Sequence, residues 1–176
     1  MHLMNEKIDI LKDRVKELEK KGILSRIEEL LKQLKEFIIQ EDKERLLSGM
    51  TEICAKCGKE GKACCGSAIE FKYTDELLLI NILLGTKFPD EPEFPDMCFF
   101  LTTSGCVLFA RDAFCINFIC DKIKEKIPLE KLKRLRELEG LHLQLQFRLE
   151  QILKQISGDR DSLIFYDHSK LNYFHI

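Results

Sequence analysis

The residues in this sequence best suited to chemistry are its cysteines. There are eight in 176 residues, and all fall between Cys54 and Cys120. They stand as Cys54-x2-Cys57, Cys64-Cys65, Cys98, Cys106, Cys115 and Cys120. That stretch holds no histidine, because His2, His142, His168 and His175 all lie outside it. Thiols used only as small core hydrophobes have no reason to segregate in this way. A C-x2-C pair on a tight turn, with Gly58 behind it to turn the backbone away, presents two thiolates to one ion. Partner thiols complete such a site, and here they come from Cys98 and Cys106 on a hairpin and from the Cys115–Cys120 segment. Cys54, Cys57 and Cys106 are the leading ligands, and spacing does not choose between the adjacent Cys64 and Cys65.

Four thiolates suit either zinc or an iron–sulfur cluster. The lack of histidine disfavours mixed Cys/His zinc, and the ferredoxin run C-x2-C-x2-C-x3-C-P is absent. The cofactor expectation is therefore zinc or an iron–sulfur cluster, in one centre held by about half of the cysteines. One geometric condition applies. Residues five apart on a helix are separated by about 500°, so Cys115 and Cys120 on a regular helix point roughly 140° apart. If both bind one metal, the helix is not regular across them.

Positioning these residues falls to a mainly α protein. The spacing of Ile8, Leu11, Val15 and Leu18 predicts an amphipathic helix that ends at Gly22. Ser25 and Glu28 have the spacing of a capping box for a second helix, with Leu31, Leu34, Ile38 and Leu46 or Leu47 on its seam. Pro128 opens a third long helix, whose seam runs through Leu138, Leu141, Leu145, Leu149, Ile152 and Ile156 to Ser157-Gly158. A helical bundle of three long helices is the simplest way to bury these stripes, although the same pattern also serves an intermolecular coiled coil and so a homo-oligomer. The organisation reads as an N-terminal helical hairpin (1–50), a cysteine-rich α+β insertion (51–127), a long helix (128–158) and an aromatic tail (159–176). Within the insertion, Thr74 caps a short apolar helix ending at Gly85. Three prolines between 87 and 96 make a loop, residues 98–109 make a short β-hairpin turning at Gly105, and a helix spans 112–127.

At this point the order of motifs resembles a known family. Cys54-Ala-Lys-Cys57-Gly58, Cys64-Cys65, Cys98-Phe-Phe-Leu101, Gly105-Cys106 and Arg111-x3-Cys115-x4-Cys120 are similar to the YkgJ-type cysteine-cluster family, described as zinc- or iron-chelating. The resemblance covers residues 54 to about 121. It departs from the family at Lys59 to Ala63, which looks like an insertion, at Asp112 where the family has proline, and at Ile116 where arginine is common. It implies a metal site whose ligands are drawn from these eight cysteines. Some members are treated as iron–sulfur proteins, and a related cluster in flagellin lysine N-methylases implies an enzyme of protein modification as the alternative.

The remaining features set limits. Lys plus Arg number 28 against 30 Asp plus Glu, a formal net charge of −2, which lacks the basic excess expected of a nucleic-acid or anionic-membrane partner. No apolar run approaches the roughly 18 residues of a membrane span, and the charged start is unlike a secretory leader. The expectation is a cytoplasmic protein with unpaired thiols. His142 reads as a packing residue beside the Leu141/Leu145 seam, and Asp75 and Glu76 serve the first turn of a helix rather than acid–base catalysis. No nucleophile, base and orienting acid stand out. The function expected is thus metal binding with a structural or redox role, with a metal- or thiol-dependent enzyme, or a helical interaction module stapled by a metal, as the rivals.

Overall fold

The computed structural model describes residues 3–158 except 65 and 67. The aromatic tail, with His168 and His175, lies outside the described residues, as do His2 and Cys65. Seven α-helices and one small antiparallel hairpin make up what is described, so the chain is mainly helical.

Helix α1 (Leu3–Lys20) buries Met4, Ile8, Leu11, Val15 and Leu18, a single stripe at helical spacing. Gly22 ends it at φ +66°, where its N–H donates to Glu19 C=O and the Ile23 N–H reaches back to Leu18 C=O, the Schellman closure of a helix. The expected capping box does not form. Ser25 Oγ donates to Gly22 C=O at 2.8 Å, and α2 (Glu28–Ser48) starts behind Ile27 with no side-chain cap. The hydroxyl is used on the closure of α1 and is lost to α2.

Helix α2 stops at Gly49, with φ +83°, as its sequence predicts, but α3 (Met50–Lys59) follows at once. Helix α4 (Asp75–Leu83) is capped by Thr74, whose Oγ1 accepts the Leu77 N–H at 3.1 Å. Strands β1 (Leu101–Thr102) and β2 (Gly105–Cys106) pair Leu101 with Cys106 and Thr102 with Gly105. The hairpin is shorter than expected because a turn, closed by the Leu101 N–H on Cys98 C=O at 2.9 Å, takes in Phe99 and Phe100, which are fully buried and meet edge to face.

The helix expected over 112–127 is two, α5 (Ala113–Asn117) and α6 (Asp121–Lys126). The break has a visible cause. The Arg136 guanidinium donates to Ile116 C=O at 2.8 Å and to Asn117 C=O at 3.1 Å, taking the carbonyls that a continuing helix would use. Helix α7 (Leu129–Gly158) begins one residue after Pro128, whose C=O accepts from Lys131 and Leu132.

Packing differs from the simplest three-helix picture. Helices α2 and α7 lie along each other, while α1 is met by α4, which in turn packs on α7. The main core joins these elements to Phe99 and Phe100, and a smaller one gathers Met50, Ile123, Ile127, Leu132 and Leu135 beneath α3 and α6. The seams hold at Leu34, Ile38, Leu138 and Leu149, which are buried, but Leu46 and Leu47 on α2 and Leu141 on α7 are exposed, the last at 43%, while Glu41, Glu139, His142 and Gln146 are buried.

Asn81 ties α4 to the segment leading into Arg111. It is fully buried, its amide donates to Ala110 C=O at 2.7 Å, and its Oδ1 accepts the Ala110 N–H at 3.1 Å. Asn81→Ala orphans both backbone groups, so the variant should lose about 2–4 kcal/mol in urea unfolding. A loss below about 0.5 kcal/mol contradicts this role.

Candidate functional site

The cysteines belong to short elements held by the larger helices. Cys54 and Cys57 are on α3, one turn apart and so on neighbouring parts of one face. The expected tight turn between them is absent, because Gly58 is a buried helical residue and the reversal comes at Gly61, with φ +64°. There the Gly61 N–H donates to Gly58 C=O and the Lys62 N–H to Cys57 C=O, again a Schellman closure. Cys64 follows in a bend, exposed. Cys98 is buried just before β1, Cys106 is on β2, Cys115 is on α5, and Cys120 immediately precedes α6.

The electrostatic neighbourhoods divide these thiols in two. Cys54 is influenced by Cys64, Cys120 and Cys57, whereas Cys106 influences both Cys98 and Cys115. Cys115 and Cys120 fall in different neighbourhoods, although the break between α5 and α6 removes the regular helix that would keep them from one metal. Among the described residues, no three His, Cys, Asp or Glu side chains come together closely enough to hold a metal ion.

Water exclusion dominates the thiols' acidity. Burial pushes Cys98 up to about 12 and also raises Cys106. Cys54 is exposed as a residue, yet desolvation of its sulfur and then the nearby Cys64 raise it, with Arg45 opposing. Cys115 is raised by burial too, while the Tyr73 hydroxyl, 3.9 Å from its Sγ, opposes. Tyr73 is itself buried, accepts the Asp112 N–H at 3.2 Å, and is held far above its ordinary pKa mainly by burial. On the first group, the Lys122 ammonium donates to Cys57 Sγ at 3.3 Å.

Between the groups lies a cavity of about 350 Å³ whose wall includes Cys54, Cys106, Arg45 and Arg111. Behind it is a buried polar network that sequence patterning concealed. Arg45 on α2 bridges Glu41, at 2.8 Å, and Glu139 of α7. Glu139 also receives Arg136, and Glu41 Oε2 lies 2.7 Å from His142 Nδ1. His142 is 1% exposed, and its other ring nitrogen meets Gln146 Oε1 at 3.1 Å. Burial alone would raise the Glu41 carboxyl, but the His142 hydrogen bond and the Arg45 charge hold it below its ordinary value. Glu139 is raised, burial outweighing Arg45 and Arg136. Glu41 and Arg45, then Glu139, His142 and Gln146, keep the 3–4 spacing of a helix seam. That spacing was the available signal, hidden because such residues ordinarily mark a solvent face.

Two measurements follow from these environments. Arg45→Met leaves Glu41 and Glu139 buried without their shared cation and should cost about 3–5 kcal/mol at pH 7. The deficit should narrow as the pH falls, because protonated carboxyls need no cation. A pH-independent loss would refute the ion-pair account. In the metal-free chain at pH 8, Cys98 should alkylate roughly a thousandfold more slowly than an unperturbed thiol, as read by mass spectrometry of its peptide.

No family model, curated protein or solved structure matches the chain, so the arrangement is read from its own chemistry.

Proposed function

We propose that this chain is a metal-binding protein in which the cysteines provide an all-sulfur site for zinc or an iron–sulfur cluster, with a structural or redox role. The carrying observation is that Cys54 lies within electrostatic range of Cys57, Cys64 and Cys120, which come from three separate segments, and shares a cavity wall with Cys106. The donor chemistry fits: soft sulfur ligands suit both candidates, and Lys122 and Arg45 are cations beside thiols that would carry negative charge when ligated. The thiols stand apart among the described residues, so loading would draw Cys64 toward α3 and Cys120. A metal supplies the cross-link that a small, loop-rich unit otherwise lacks. In this reading the three long helices are the bundle that carries residues 51–127, the protein is cytoplasmic, and the order of its motifs resembles that of the YkgJ-type clusters.

The test is metal and labile-sulfide analysis of protein purified without oxygen, with its absorption spectrum. The expected result is one metal centre per chain. Cys54→Ser combined with Cys57→Ser should remove most of the metal, and loading should be weaker at pH 6 than at pH 8 because each thiol gives up a proton on ligation. A wild-type chain that is folded and metal-free after growth in zinc- and iron-replete medium rejects the proposal.

A further inference from the structure

The cavity beside the thiols has a second chemistry that the metal reading does not use. Two guanidiniums reach it, and each has a donor with no good acceptor. Arg111 places Nη2 on Asp42 Oδ1 at 2.8 Å, but its Nε is buried with no hydrogen-bond partner. Arg45 spends Nε and Nη2 on Glu41 and Glu139, while Nη1 meets the Met50 sulfur at 3.7 Å, a weak acceptor. The charge of Arg111 also counts against that of Arg45, as expected of two cations facing one space.

The rest of the wall suits an organic ligand. Thr51 and Ser104 add hydroxyls, and Leu46, Val107 and Phe109 form an apolar side. The volume of about 350 Å³ is at the small end of ligand sites, which combine an apolar wall with a few placed polar groups. Among the described residues, Asp42 is the one carboxylate on this wall, and it is paired with Arg111 Nη2.

We propose that this cavity binds a small organic oxyanion, its carboxylate or phosphate group between Arg45 and Arg111 and its apolar body against Leu46, Val107 and Phe109. An oxyanion supplies an acceptor to Arg45 Nη1 and screens the two guanidiniums from each other. The wall also carries Cys54 and Cys106, so the site adjoins the proposed metal centre, while the anion is held by the arginines.

The test is calorimetric titration of the full chain with benzoate and with phenyl phosphate, using benzamide as the neutral control. Saturable binding of either anion, at least roughly tenfold tighter than benzamide, is the expected result. In the wild type, the Arg111 Nε–H NMR resonance should shift on binding, a readout that needs no variant. Arg111→Gln should weaken the anion at least roughly tenfold while metal content, measured on the same samples, is unchanged. Absence of saturation at millimolar concentrations, equal binding of benzamide, or a stationary Nε–H signal overturns the proposal, whatever the metal analysis shows.

Discussion

The arrangement turns on one buried cation. Arg45 is held between Glu41 of its own helix and Glu139 of α7, deep in the contact between the two helices. Apolar burial alone would allow these helices to slide or rotate at small cost, because leucines and isoleucines are interchangeable along a seam. A guanidinium with two fixed carboxylate partners allows one register. Such a pair adds little net stability, since desolvation offsets most of the Coulomb attraction. Breaking it is costly, and that asymmetry is what makes the register specific.

From Arg45 the same network extends to the cysteine-bearing elements. Glu139 accepts from Arg136, which closes α5 by binding its last carbonyls, so the position of Cys115 is tied to the helix pair. On the other side, α2 passes through Gly49 directly into α3 and carries Cys54 and Cys57 to the same end of the molecule. Arg111, bonded to Asp42 of α2, brings the segment after β2 onto that end as well. The polar core of the helix pair is thus also the platform on which the thiol groups and their shared cavity are built.

Much of this was legible in sequence where local physics decides it. The stripe of α1, the glycine closure at Gly22 and the Thr74 cap depend on a few adjacent residues, and each is found where spacing predicts. The confinement of the cysteines to one unit was equally plain. What spacing concealed was decided by distant partners. Glu41, Arg45 and Glu139 look like a solvent face until two helices supply their counter-charges. The C-x2-C motif implies a turn, but Gly61 rather than Gly58 closes α3. The break between Cys115 and Cys120 follows from Arg136, about twenty residues downstream, which no local pattern near the cysteines reveals.

Sulfur ligation by the cysteines is tested most directly by X-ray absorption at the metal edge of the loaded chain. The account predicts a first shell of sulfur alone, at roughly 2.3 Å from the metal. A shell dominated by oxygen or nitrogen would contradict it.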